Sequence, residues 1–260
     1  MLPRLEALVK ATTKQLSAAV EPGFDAQLRR FFKEPVDPYG VRSKQVHQIA
    51  NGVYRELKRW PCAERDRFMD ELWRSGKLED GHLVCDVYRR FSKTCAEREF
   101  AMFEQWLDRY VTNWSDTDGV AGWLLAASIA NRPELISKLA RWTKSTNRWK
   151  RRAAAVALLQ EARQGRNTDA IFQICLLLRQ DADEMVQRGV GWLLKETYPR
   201  RPREVLHFLD SWRATAPRLL LRYAAEKMTA KDKKWLMARG PAGAKTTGPA
   251  SAASKSRLAR

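Results

Sequence analysis

The chain has 260 residues, 44% of them apolar, enough for one large or two modest domains with a sizeable core. Lysine and arginine number 48 against 30 acids, a net charge of +18, and most of that excess stays when the basic tail at 240–260 is set aside. This favours a polyanionic partner, nucleic acid before an anionic membrane surface. No apolar run approaches a bilayer span, and the first residues, Met-Leu-Pro-Arg-Leu-Glu-Ala-Leu, hold no uninterrupted apolar core of a signal peptide.

Helical periodicity runs through nearly the whole chain, with no convincing alternation of the strand kind. The spacing predicts helices over 4–19, 24–33, 42–58, 63–74, 80–93, 95–111, 117–131, 133–143, 148–164, 167–179, 183–197, 202–212, 216–228 and 230–238. Short connectors between them carry the expected breakers: Glu21-Pro22-Gly23, the run Pro35 to Gly40, Trp60-Pro61, Ser75-Gly76 and Asn131-Arg132-Pro133. Helices beginning near 117, 148 and 183 recur at about the length of a HEAT-type repeat. The expected fold is therefore all-α: one HEAT-like helical-repeat α-solenoid over 1–239, its concave basic face suited to a rod-like polyanion. Residues 240–260, rich in Gly, Ala, Ser, Thr and Lys, bury too little apolar area to order and are expected to be a disordered basic tail.

Cys62, Cys85, Cys95 and Cys175 lie far apart with no Cys-x-x-Cys, which reads as buried thiols rather than a disulfide frame. With only His47, His82 and His207, no metal site is expected. The nucleotide-binding, Rossmann, serine-hydrolase and zinc-protease signatures are all missing. No cofactor is implied.

Three places stand out. In Asn113-Trp114-Ser115-Asp116-Thr117-Asp118, Ser115 with Asp118 fits a capping box for a helix over 117–131, whose packing stripe would be Val120, Trp123, Leu124 and Ala127. Trp114 and Asp118, four apart, could instead point an aromatic face and a carboxylate into a groove. In 147–163, Asn147 is a plausible N-cap, and Trp149, Val156 and Leu159 form an apolar stripe. Arg152 sits inside that stripe, so it needs a carboxylate from another helix, with Asp118 one candidate, or an anion in a groove; snorkelling past Trp149 is the bland alternative. In 183–197, Val186, Val190, Leu193, Leu194 and Thr197 make the apolar side. Trp192 falls nearly opposite, beside Arg188, Gly189 and Lys195; an aromatic there either contacts sugar or base rings or is covered by another helix of the solenoid. Gly189 would leave room for a close approach to this helix.

At these places the sequence resembles the AlkD-like DNA glycosylases, HEAT-like helical proteins that excise alkylated purines. The resemblance covers most of 25–230. Its carriers are Tyr39-Gly40-Val41-Arg42, Leu72-Trp73, Trp114-x-x-x-Asp118, Asn147-x-Trp149-x-Arg151-Arg152, and Val186-Gln187-x-x-x-Gly191-Trp192-x-Leu194-x-Glu196. By family pattern Asp118 is the catalytic carboxylate, Trp114 and Trp192 are the aromatic pair at the lesion, and Arg152 lies near the DNA backbone. Arg148, Arg151, Arg188 and Lys195 would join Arg152 in holding phosphates. The resemblance implies a cytoplasmic, nucleoid-associated monomer. It would act on double-stranded DNA with alkylated bases, releasing N3- or N7-alkylated purines and leaving an abasic site. The family also holds members that bind unusual DNA structures without catalysis, and composition alone would also suit a helical scaffold for an acidic protein.

Overall fold

The computed structural model describes residues 3–238. It is all-α among these residues, with two isolated bridges, Val20 with Val41 and Asp37 with Lys77, in place of any strand. Expectations for the 240–260 tail fall outside the described residues.

The helices are α1 (Pro3–Ala18), α2 (Phe24–Arg29), α3 (Ser43–Leu57), α4 (Cys62–Arg74), α5 (Leu78–Tyr88), α6 (Glu97–Arg109), α7 (Trp114–Gly119) and α8 (Ala126–Asn131). There follow α9 (Ile136–Trp142), α10 (Arg148–Val156), α11 (Leu159–Gln164), α12 (Thr168–Leu178), α13 (Glu184–Thr197), α14 (Pro202–Asp210), α15 (Arg218–Ala224) and α16 (Ala230–Met237). One row consists of α3, α5, α7, α10, α13 and α15, each packed on the next in that order. Behind it α1 and α4 back α3 and α5, α6 and α9 back α10, and α12 and α14 back α13. This two-layer stack is an α-solenoid. Its core runs between the layers, through Phe68, Leu83, Phe103, Trp106, Leu124, Trp142, Ala154, Ile174, Val190, Leu193 and Leu220, all essentially without exposure.

Several local expectations are corrected by the structure. The second helix ends at Arg29, before Phe31 and Phe32, because Pro35 and the carbonyl of Val36, which accepts from Arg29 Nη1 at 2.6 Å, pull the chain into a loop. The helix expected over 148–164 breaks at Ala157 and Leu158. The helix expected from 117 starts at Trp114, and it does not use Ser115 as its cap. Asn113 is the N-cap: its Oδ1 accepts from the Asp116 N–H at 3.0 Å, and its Nδ2 donates to Asp116 Oδ2 at 2.6 Å. Ser115 hydroxyl contacts His82 Nε2 at 2.8 Å instead. Asp118 therefore lies in the second turn and caps nothing.

Between α7 and α8 the chain makes a π-helical stretch, Val120–Leu125. A π turn adds a residue per turn and slips the register of everything on it. Val120 and Leu124 stay in the core as expected, but Trp123 turns out to solvent with 45% of its surface exposed. Three of the cysteines are buried; Cys62, at the start of α4, is exposed.

Candidate active site

The residues of interest all come from the same row of helices. Trp114 and Asp118 are four apart on α7, so both side chains leave the same face. Arg152 comes from α10 and Trp192 from α13, the next two helices in the row.

Asp118 and Arg152 form a two-point ion pair. Arg152 Nε donates to Oδ1 at 2.8 Å and Nη2 to Oδ2 at 2.8 Å. The remaining Nη1 donates to the Met185 carbonyl at 2.6 Å, just inside α13. The Arg152 side chain is 6% exposed and that of Asp118 20%. Of the two partners open to Arg152 from sequence, the carboxylate is the one it meets. Burial pushes the Asp118 carboxyl above its usual range, and the Arg152 charge and hydrogen bonds hold that rise in check. Gly189 faces Arg152 and not an open groove: a Cβ on it would sit 3.4 Å from Arg152 Cγ, in ordinary contact. Gly191 lets α13 close on α15, since a Cβ there would lie 2.6 Å from the Leu220 carbonyl.

Two clefts meet at Asp118, and Arg152 lines the smaller of them. One, of about 720 Å³, is lined by Lys44 and His47 of α3, His82 and Asp86 of α5, Trp114, Asp118, Trp123, Arg163 and Trp192, among others. The other, of about 330 Å³, is lined by Phe31, Lys33, Glu34, Arg188 and Tyr223 together with the same Trp114, Asp118 and Trp192. The carboxylate and the two indoles are thus common to both. Trp114 is braced by Phe32, stacked on it at 5.2 Å and 20°. Trp192 is half-buried at the edge of the core, with Nε1 donating to Glu196 Oε1 at 3.2 Å. Glu196 also accepts from Lys227 and Arg163. Burial alone would raise its pKa, but those hydrogen bonds and charges outweigh it and leave Glu196 below the usual range.

The cations expected to hold phosphates each have a protein partner in this structure. Arg152 is buried, and its three side-chain nitrogens donate to Asp118 and the Met185 carbonyl, so here it holds Asp118; it also lines the smaller cleft. Arg151 spends Nε and Nη2 on Asp181, at 2.7 and 3.2 Å, and Nη1 on the Ser145 carbonyl. Arg148 pairs with Glu34 and Asp183 and lies over the Trp149 ring. Arg188 donates to the Tyr223 hydroxyl at 2.8 Å, and Lys195 pairs with Glu226 at 2.7 Å. Arg148 and Arg188 remain partly open, and Arg188 and Lys195 line the smaller cleft.

The sequence reading missed most of the larger cleft's wall. His47 Nδ1 lies 2.9 Å from Asp86 Oδ2. Arg89 pairs with the other oxygen of Asp86 and sits 4.9 Å over the Trp123 ring. Burial pulls His82 below the usual imidazole value. Apart from the Asp86–Arg89 neighbours, nothing linear links these groups, since they come from α3, α5 with the turn after it, and the π stretch. The motif segments that did carry signal are structural as well as functional. Glu79 accepts from the backbone N–H groups of Tyr39, Gly40 and Val41 at 2.8 to 2.9 Å, pinning the Tyr39–Arg42 segment ahead of α3. Gly40, at φ 92°, faces Asp25 so closely that a Cβ would meet its backbone nitrogen at 3.0 Å.

Such a site defines a class: a helical-repeat protein presenting a part-buried, arginine-held carboxylate alongside two indoles on an open groove. A family model described as DNA alkylation repair enzyme matches residues 12–228, and the chain belongs to that family. The fold is similar to that of a predicted DNA alkylation repair enzyme from Enterococcus faecalis (TM-score 0.73, 15% identity, 81% of this chain and 97% of that one). It is also similar to AlkD2 from Streptococcus mutans (TM-score 0.61, 18% identity, 85% and 98%) and to smu.31 from Streptococcus mutans UA159 (0.56, 18%, 70% and 91%). No curated protein matches the chain. The family assigns the protein a role in DNA alkylation repair, and no helix of the described residues is long and apolar enough to cross a membrane.

Proposed function

We propose that the protein is a DNA glycosylase that hydrolyses the N-glycosidic bond of N3- and N7-alkylated purines in duplex DNA, leaving an abasic site. The observation that carries this reading is Asp118, held by Arg152, lining the same two clefts as Trp114 and Trp192. An alkylated purine of this kind bears a formal positive charge and leaves readily. As the bond from C1′ to the base nitrogen lengthens, its electron pair moves to the base and neutralises that charge, while positive charge builds on the deoxyribose. Asp118 stabilises the sugar cation electrostatically and orients a water for attack at C1′. The water's proton goes to solvent, and the products are the free base and the abasic sugar. Arg152 keeps the carboxylate fixed in advance, so little reorganisation is needed as charge develops. Trp114 and Trp192 offer electron-rich faces to the cationic nucleotide, worth about 0.5–2 kcal/mol each.

The test is direct: incubate the protein with duplex DNA containing N7-methylguanine and measure free base by chromatography. Release that depends on Asp118 supports the reading. Tight binding without release would make the protein a non-catalytic DNA-structure binder. Absence of DNA binding at moderate salt would favour a protein scaffold.

A further inference from the structure

The segment between α2 and the isolated bridge at Asp37 is a short strap that reaches from the N-terminal end of the helical row to its far half. Lys33 Nζ pairs with Glu184 at 2.8 Å, and Glu34 pairs with Arg148 at 2.5 Å, contacts across more than a hundred residues of chain. Arg29 closes its base through the Val36 carbonyl. Phe32 is stacked on Trp114. Phe32 and Glu34 are thus held by their partners, yet Phe31 itself is 75% exposed, the most exposed of the large apolar side chains among the described residues. It lines the same cleft as Trp114, Asp118 and Trp192.

A fixed backbone with a bare aromatic ring at the mouth of a DNA site has a physical use. Scattered exposed apolar residues need no explanation, but this one is held beside the place where a nucleotide must be contacted. Apolar side chains that enter a base step unstack it, and the ring gains burial in exchange. Phe32 cannot do this, because its face is already occupied by Trp114. The part-buried Glu34–Arg148 pair would resist the strap being pushed back when the ring meets the duplex, while the exposed Lys33–Glu184 pair adds little.

Resting on the glycosylase reading for the position of the lesion, we propose that Phe31 is a DNA wedge that inserts into the base stack beside the nucleotide at Asp118. The occupant is duplex DNA, not a second protein, because the cleft continues into the carboxylate and indole site and its rim carries Lys33, Arg188 and Lys195.

The experiment uses a duplex with a tetrahydrofuran abasic analogue and 2-aminopurine as the adjacent base, so that unstacking brightens the fluorophore and no bond needs to break. Binding is followed separately by anisotropy, so that both proteins are compared at saturation. Wild type should brighten the probe severalfold. Phe31→Ala should lose the brightening while still binding, and its thermal melting should match wild type because the ring is exposed. Phe31→Leu, which keeps an apolar wedge, should retain most of the signal. Brightening that survives Phe31→Ala, or a wild type that binds to saturation or fails to bind and leaves the probe dark, overturns the wedge. A wild type that brightens the probe but frees no N7-methylguanine keeps the wedge and defeats the glycosylase reading. Base release without brightening does the reverse.

Discussion

Arg152 on α10 grips both oxygens of Asp118 on α7 at 2.8 Å, and Arg152 has no side-chain nitrogen left over, since Nη1 is spent on the Met185 carbonyl. Three helices of the row are thus tied at one guanidinium. Planar two-point recognition of this kind is something a lysine cannot reproduce.

Replacing Arg152 by Ala should destabilise the fold by about 3–5 kcal/mol, because it strands a mostly buried carboxylate. Chemical denaturation of wild type and variant measures this. If Arg152 serves only to hold Asp118, the salt dependence of DNA binding should stay steep in a folded variant. If about 6–10 phosphates are contacted, affinity should fall roughly 10³–10⁵-fold between 50 and 200 mM salt. Should Arg152→Ala leave stability intact and make the salt slope shallower by about 1, the residue would be a phosphate contact after all.

Trp192→Ala should cost clearly less than the roughly 3–5 kcal/mol of a core Trp-to-Ala change. The indole is half-buried, lines both clefts, and gives up one hydrogen bond, to Glu196. Excision should fall while melting shifts only modestly. A full core-sized loss of stability would mean that the indole serves packing and not the groove.

Asp116 gives a pH signature independent of catalysis. It is buried on the opposite side of α7 from Asp118, and burial raises its carboxyl to about 7, with Glu79 adding to the rise and the Asn113 hydrogen bond opposing it. In the unfolded chain it returns to the ordinary carboxylate value. Between the two values the folded protein holds a proton that the unfolded chain has lost, so stability falls as pH rises from about 4 to about 7. Asp80, raised to about 6 mainly by burial, acts with the same sign. Asp116→Asn should flatten the upper part of that decline and melt higher than wild type above pH 7. A variant whose melting temperature tracks wild type across this range would rule out a protonated Asp116 in the folded state.

Much of this arrangement was legible in the sequence, and the failures have local causes. The apolar stripe of Trp149, Val156 and Leu159 and that of Val186, Val190, Leu193 and Leu194 are buried as their spacing implies. Arg152 inside such a stripe already demanded an anion, and Asp118 was one of the few acids able to answer it. The start of α7 was misjudged because Asn113 and Ser115 are both good caps, and only the partner of Ser115, His82, decides between them. Trp123 was misplaced because a π stretch leaves no mark in a pattern counted at 3.6 residues per turn. Arg151, Arg188 and Lys195 looked free because Asp181, Tyr223 and Glu226, which engage them, sit about 30 or more residues away.

Asp118→Asn carries the mechanism. The amide keeps the shape and one acceptor for Arg152, and Asp118 caps no helix, so the fold should survive. Losing one partner of a buried hydrogen-bonded pair should still cost about 1–3 kcal/mol, visible in denaturant. DNA affinity should change little, since the ground state holds no new charge on the sugar. Excision of N7-methylguanine should drop by about 10²–10³, the usual effect of removing one preorganised group that acts on transition-state charge. Single-turnover base release at saturating protein separates the two effects, because weakened binding is then compensated and only the chemical step is read. A variant that remains folded and releases base at the wild-type rate would take Asp118 out of the chemistry, leaving the Asp118–Arg152 pair as a structural tie between α7 and α10.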